Sequence, residues 1–291
     1  MKISVSTYSF SPLMQRGEMT QLDCVSKAKE LGFDAIEFVD ILPHDGSSPE
    51  EYAVRLKDAA EKNELFISNY TFAADFLTGS GGDVNAEIDR VKKQIDMAVR
   101  LGAKSVRHDA TSGFAPGTRG YKGFDAALPQ LADACREVTI YAESVGVRTM
   151  VENHGYFCQD SDRVEKLINT VAHPNFGWLV DMGNFLCADD DPVTAVGRAA
   201  PYAFYAHAKD FHIKSGNGPN PGEGFFPSRG GNYLRGAIIG HGDVPVIQCL
   251  RALKLAGYDG AIAIEFEGME HSLDGVRIGL ANLQRFIELV G

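Results

Sequence analysis

The chain has 291 residues, of which 44% are hydrophobic and 23% charged, and 39 acidic against 28 basic side chains give a formal charge of −11. That composition describes a globular protein with ample core, and its acidic balance argues against a nucleic-acid backbone as partner, because such proteins present a basic face. A small anionic substrate stays possible, since a few local Arg and Lys can hold one.

In chain order, a first strand is expected near residues 2–7, and then a repeated phrase sets the rhythm. Leu31-Gly-Phe-Asp-Ala-Ile-Glu37 closes a helix with glycine and starts a short apolar strand, and Leu101-Gly-Ala-Lys-Ser-Val-Arg-His108 does the same. Val145-Gly-Val-Arg-Thr-Met-Val-Glu152 and Ala256-Gly-Tyr-Asp-Gly-Ala-Ile-Ala-Ile-Glu265 repeat it. Glycine supplies the left-handed residue that ends a helix, and short β-branched runs suit strands buried on both faces of a parallel sheet. Between the strands lie helical periodicities, such as Val84, Ile88, Val91, Ile95 and Ala98, or Leu273, Val276, Leu280, Leu283 and Ile287. The remaining strands are expected near 34–39, 65–70, 104–108, 147–152, 176–181, 203–208 and 261–266. Eight strand–helix units predict an α/β protein, a single (β/α)8 TIM barrel over residues 1–291. An open doubly wound sheet is disfavoured, because no GxGxxG follows a strand.

Five cysteines (Cys24, Cys135, Cys158, Cys187, Cys249) form no CxxC and fit reduced thiols better than a disulfide framework. No run approaches the roughly 20 apolar residues of a membrane span. Met1-Lys2 leads straight into Ile3-Ser-Val-Ser-Thr7 without a signal-peptide core. A cytoplasmic protein without a membrane partner is the expectation.

In a barrel, strand C-termini converge on one mouth, where the active sites of this fold sit. Strands five to eight end in Glu152, Asp181, His207 and Glu265. Neighbouring carboxylates repel unless a proton or cation compensates, so three of them beside an imidazole predict a divalent ion: Mn²⁺, Co²⁺, Mg²⁺ or Zn²⁺.

The chain resembles the xylose-isomerase-like barrels, a superfamily that groups sugar phosphate isomerases/epimerases with ketose 3-epimerases, inosose dehydratases and endonuclease IV. The resemblance spans essentially the whole sequence. It is carried by Val151-Glu-Asn-His154, Val180-Asp-Met-Gly-Asn184, His207-Ala-Lys-Asp210, Gly240-His-Gly-Asp-Val244, and Gly257-Tyr-Asp-Gly260 leading into Ile264-Glu265. It implies that Glu152, Asp181, His207 and Glu265 bind the metal, with Glu152 and Glu265 also serving as acid and base. The activity implied is isomerisation or epimerisation of a sugar or sugar phosphate through an enediolate. The alternative is a lyase of the inosose dehydratase kind acting on a keto-polyol or keto-glycoside. An endonuclease IV-like nuclease is the third reading; Asn184, where that family carries a histidine, and the acidic charge speak against it.

Further substrate contacts are expected from several side chains. Tyr8 and Phe10 leave strand one as an aromatic wall or as core. Glu37, His108 and Asp109 end strands two and four, as substrate contacts or as local hydrogen-bonding groups. His154 either touches substrate or supports a metal ligand. Asn184 follows the strand-six Asp181. Lys209, two residues after His207, shares its strand face and either binds a substrate oxygen or pairs with Asp181. The Gly- and Pro-rich stretch of about residues 211–242 is expected to be a long loop serving as a lid or as a contact in a homo-oligomer. Its Arg229 and Arg235 are the candidate grips for a phosphate.

Overall fold

The computed structural model describes residues 1–291. Its strands are β1 (Lys2–Ser6), β2 (Ala35–Val39), β3 (Phe66–Phe72), β4 (Ser105–His108), β5 (Arg148–Glu152), β6 (Phe176–Asp181), β7 (Ala203–Ala208), β8 (Asp210–Lys214), β9 (Phe226–Pro227), β10 (Tyr233–Ala237) and β11 (Ala261–Ile264). Eight of them, β1 to β7 and β11, form a closed parallel barrel. Lys2 of β1 faces Ala261 of β11 and Val5 faces Ile264, so the ring has no free edge. This is the expected (β/α)8 architecture, and every anticipated barrel strand is present.

The helices are α1 (Ser11–Gln15), α2 (Gln21–Leu31), α3 (Pro49–Lys62), α4 (Val84–Leu101), α5 (Phe124–Ser144), α6 (Ser161–Val171), α7 (Pro192–Ala199), α8 (Val246–Leu255) and α9 (Ser272–Val290). α4 shows why they form where they do. The Asp83 side chain accepts from the Asn85 and Ala86 amides at its start, and Gly102 ends it with φ 84°. Ile88, Val91, Ile95 and Ala98 bury one stripe against the barrel; each large aliphatic contributes about 1.5–3 kcal/mol. No helix is long and apolar enough to cross a membrane. All five cysteines are unpaired and buried.

The period-2 alternation of the strands sorts their side chains. Ile36, Phe38, Val106, Val151, Trp178 and Val180 belong to the large core outside the barrel wall, under the helices. Met150, Leu179, Tyr205 and Ala263 form a separate small cluster inside the barrel. There the Tyr205 hydroxyl bonds Ser68 Oγ at 2.7 Å, and Ser68 Oγ bonds Ser4 Oγ at 2.7 Å. Two residues further along the same faces come Glu152, Asp181, His207 and Glu265. The apolar plug is therefore the floor of the polar mouth.

The stretch after β7 is not the loop expected from its composition. β8, β10 and β9 form a three-stranded antiparallel sheet, with Asp210 opposite Ala237 and Lys214 opposite Tyr233. Phe211 and Leu234 bury together with Cys187, which gives the insert a small core of its own. Most of its Gly, Pro and Asn residues occupy the turns, with Pro227 in β9 and Gly236 in β10 as the exceptions.

Candidate active site

His207 is fully buried, with Nε2 3.0 Å from Glu37 Oε1 and 3.2 Å from Oε2. A carboxylate can only accept, so Nε2 carries the hydrogen and Nδ1 faces the other way. Nδ1 lies 3.6 Å from Asp181 Oδ2, 3.7 Å from Glu265 Oε2 and 3.9 Å from Glu152 Oε1, at hydrogen-bond distance from none of them. Both His207 Nδ1 and Asp181 Oδ2 are buried without a hydrogen-bond partner. Buried polar atoms without partners are costly. One ligand atom from each of Glu152, Asp181, His207 and Glu265 falls within 4.8 Å of the other three. That is the spacing of donors around one ion, and three carboxylates with one imidazole are the donor set of a divalent cation. The residues present fit the metal.

The surroundings hold each ligand in place. Asp181 Oδ1 accepts from the Gly183 and Asn184 amides, both at 2.8 Å, which leaves Oδ2 for the centre. A Cβ on Gly183 would lie 2.9 Å from the Lys209 carbonyl oxygen, so only glycine lets this turn approach β7. Asn184 Nδ2 donates to Glu152 Oε1 at 2.7 Å, while its Oδ1 accepts from Lys209 Nζ at 3.2 Å. Asp210 accepts from the Phe211, Gly240, Gly242 and Val244 amides. That knot explains His207-Ala-Lys-Asp210 and Gly240-His-Gly-Asp-Val244 together: the second motif is tied to the end of the first.

Two buried cations enter the site. Lys209 Nζ lies 2.5 Å from Glu265 Oε2, 3.5 Å from Glu267 Oε2 and 3.6 Å from Asp181 Oδ2. Arg107 Nη2 donates to Asp109 at 2.9 Å, and its Nε lies 2.5 Å from Glu152 Oε2. The Nε–H points off that oxygen, so the second contact is a close charge pair rather than an aligned hydrogen bond. Burial pushes the Glu265 carboxyl up, but Lys209, His207 and Arg107 outweigh it and hold the group down at about 2. Glu152 moves the opposite way. Burial raises it above the usual carboxylate range despite Arg107 and His207. Two carboxylates in one site are thus pushed apart, the pattern of an acid–base pair.

Above these groups opens a cavity of about 370 Å³, lined among others by Tyr8, Asp40, Arg107, Asp109, Glu152, His154, Asn184, Lys209, Glu265 and Glu267. A larger depression of about 560 Å³ lies at the opposite end of the barrel, around Lys104, Arg148 and Phe204. No convergent ligand set faces it.

A family model described as xylose isomerase-like TIM barrel matches residues 25–286. The chain belongs to that family. No curated protein sequence matches it. Among solved structures it is similar to the xylose isomerase-like TIM barrel protein from Mycobacterium smegmatis in complex with magnesium, at 18% identity, covering 100% of this chain and 98% of that one, with a TM-score of 0.72. The probable 3-DHS dehydratase AsbF, involved in petrobactin synthesis, from Bacillus anthracis is 18% identical over 98% of this chain and 99% of that one, TM-score 0.72. L-ribulose 3-epimerase is 15% identical over 99% and 95% of the two chains, TM-score 0.73. At such identities the likeness shows the fold alone.

Within this family member the expected contacts divide. Tyr8, His154, Asn184 and Lys209 line the cavity, and Lys209 Nζ lies 5.9 Å from the Tyr8 ring centre. His154 Nδ1 is 2.8 Å from Asp109 Oδ1, continuing the chain Glu152–Arg107–Asp109 outward. Phe10, by contrast, is core.

His108 is not in the mouth. Its ring stacks between Phe72 and Phe176 and meets Phe76 edge-on, and burial lowers it to about 4. The inward residue of β4 is Arg107, which the sequence reading passed over. Since Val106 belongs to the outer core, strict alternation assigns Arg107 to the inside. Arg229 is also displaced from its expected role. Its guanidinium donates to Asp160, the Tyr156 carbonyl and the Ala188 carbonyl, outside the cavity lining. Arg235, half-buried, sits over the Phe225 ring at 5.5 Å and likewise does not line the cavity. Asp40 and Glu267 complete the cavity lining without having been singled out as ligands or contacts, while Glu37, expected as a substrate contact or a local hydrogen-bonding group, instead meets His207 Nε2.

Proposed function

We propose that the chain is a divalent-metal-dependent isomerase or epimerase that moves a proton beside the carbonyl of a small sugar. The observation that carries this reading is the pair of orphaned buried atoms, His207 Nδ1 and Asp181 Oδ2, facing Glu152 and Glu265 around one point. The ion, when bound, polarises the substrate carbonyl and stabilises negative charge on its oxygen.

The protein's own residues do the rest. Glu152 and Glu265 arise from β5 and β11, with β6 and β7 between them, so they meet a substrate from two sides. One removes the proton at the carbon beside the carbonyl, and the other returns a proton at a different carbon or face. Asn184 and Arg107 fix the Glu152 carboxylate, while Lys209 fixes that of Glu265. Tyr8 and Phe226 border the cavity and shield it from water.

A second reading is dehydration. The Lys209 ammonium, 2.5 Å from Glu265, is placed to protonate a departing β-hydroxyl after the same proton abstraction. The test is proton–deuterium exchange in D₂O on free ketoses, ketose phosphates and keto-inositols, with Mn²⁺ and after chelation. Exchange that needs the metal is expected. A metal-loaded protein that exchanges none of them overturns the reading. Product absorbing in the near ultraviolet assigns the lyase, and its absence the epimerase or isomerase.

A further inference from the structure

The charge pattern of the cavity selects among the carbohydrates that the proposed chemistry allows, and the inference rests on that proposal. Five carboxylates line the cavity, Asp40, Asp109, Glu152, Glu265 and Glu267, with Asp181 and Glu37 directly beneath. The full cations facing them are Arg107 and Lys209. Both are committed. Arg107 contacts Glu152 and Asp109, and Lys209 contacts Glu265, Glu267 and the Asn184 side-chain oxygen. Even with a divalent ion added, carboxylates outnumber positive charges. The arginines of the insert that could have gripped a phosphate point elsewhere, with Arg229 closed onto Asp160 and two carbonyls. A phosphate ester would enter against uncompensated negative charge.

Two rim carboxylates lack protein hydrogen-bond donors. Glu267 has only the 3.5 Å charge contact with Lys209. Asp40, after β2 and so with only β1 between its strand and the β11 that leads to Glu267, has a free side chain but a fixed backbone: its amide donates to the Thr71 carbonyl at 2.9 Å, and its carbonyl accepts from Gln21 Nε2 at 2.9 Å. That backbone has φ 51°, a conformation costly for any residue but glycine and least so for Asn and Asp. Strain held at a cavity wall points to use of the side chain. Two acceptor-only groups on the rim of a cavity match hydroxyl donors.

We infer that the substrate is an uncharged polyhydroxy ketone, held by hydroxyl donation to Asp40 and Glu267 on the cavity rim, and not a phosphate ester.

The experiment compares the D-pentuloses, the D-hexuloses and 2-keto-myo-inositol with the matching ketose 5- and 6-phosphates, on the Mn²⁺-loaded protein, by D₂O exchange and by calorimetric binding. Free ketoses or the keto-inositol should bind and exchange, and the phosphates should do neither at equal concentration. Asp40→Asn, which keeps a residue tolerant of positive φ, and Glu267→Gln should each raise KM for the free compound about 10- to 100-fold, the worth of a hydrogen bond to a charged group, with a much smaller change in kcat. A merely structural role for these residues would not narrow the gap between free and phosphorylated compounds, as removing the negative charge should. Exchange on phosphates in preference to free compounds overturns this inference and leaves the proposed chemistry standing. Unchanged KM in both variants overturns the assigned contacts. No exchange on any compound, with metal bound, overturns the chemistry itself and the substrate inference with it.

Discussion

Glu37 and His207 meet across the barrel mouth at full burial, 170 residues apart in sequence, with Nε2 3.0 Å from Oε1. Strands β1 and β11 lie between their own, so the contact spans the interior rather than a ladder. It fixes which imidazole nitrogen faces the three carboxylates. Without it the ring is free to flip or change tautomer, and Nδ1 no longer faces the three carboxylates.

Glu37→Gln should therefore weaken Mn²⁺ binding about 10- to 100-fold, the usual worth of a carboxylate behind a metal-bound histidine. The protein should stay folded, because the amide keeps the volume. Calorimetric titration checks it, and unchanged affinity would show that Glu37 does not orient the ring. His207→Ala should reduce the affinity further.

Arg107→Met tests the inward cation of β4. The change removes the guanidinium shared by buried Glu152 and half-buried Asp109, leaving them Asn184 and His154, and breaking such a buried pair typically costs about 3–5 kcal/mol. Thermal denaturation of metal-free protein should show the loss. Added Mn²⁺ should recover part of it by binding only the folded state. An Arg107→Met variant as stable as wild type would make the pair energetically idle.

The barrel and the convergence of the four candidate ligands were legible because each follows from a local rule. Gly32 and Gly102 stop helices, short β-branched runs follow, and the acid or imidazole comes at the strand end. Arg107 was missed because its neighbour His108, at the very end of β4, was the residue expected to contact substrate. Alternation from Val106 decides the matter, but strand β4 has only four residues in which to read it. Arg229 failed differently. Its partners Asp160 and the Tyr156 carbonyl lie about 70 residues away in sequence, and no local pattern announces such pairing. The insert was obscured by composition, since its turn residues outnumber the Phe211 and Leu234 that bury its sheet.

Arg229 anchors the insert to the loop after β5, so Arg229→Ala should loosen the insert without changing preference between phosphorylated and free sugar. Losing hydrogen bonds from a charged donor costs about 1.5–3 kcal/mol. Faster limited proteolysis between residues 215 and 232 is the expected readout. A selective loss of activity on phosphates, with proteolysis unchanged, would restore the phosphate role.

Glu87 offers a pH test away from the mouth. Its carboxylate accepts from the Asp75 amide at 3.0 Å, Ser80 Oγ at 2.7 Å and Arg90 at 2.6 Å. Burial raises it, but Arg90 and the hydrogen bonds of Asp75 and Ser80 prevail and hold it at about 2, against an ordinary value of 4.5. A depressed carboxyl contributes stability that is present above its unfolded value and lost as pH falls through the folded one. Glu87→Gln should thus lower stability by about 1–2 kcal/mol at neutral pH. The gap to wild type should shrink below about pH 4.5. Denaturation at pH 7, 4 and 3 checks the sign, and a gap that widens on acidification would reverse it.

The two glutamates should separate from the other ligands in kinetics. Glu→Gln at 152 or 265 keeps the side chain's size and leaves one oxygen to face the metal, but removes a usable base. Each variant should retain substantial Mn²⁺ and lose about 10²–10⁴-fold in rate, the span of general acid–base catalysis. Their behaviour in D₂O should differ, because removal and return of the proton come from opposite sides of the substrate. The variant lacking the base should show no exchange, whereas the one lacking the acid should exchange the starting sugar without forming product. Glu265, with the Lys209 ammonium 2.5 Å away, is the expected base, and Glu152 the expected acid. The reverse pattern would swap the roles within the same mechanism. Near-wild-type turnover in both variants with metal bound would remove the two-carboxylate mechanism altogether.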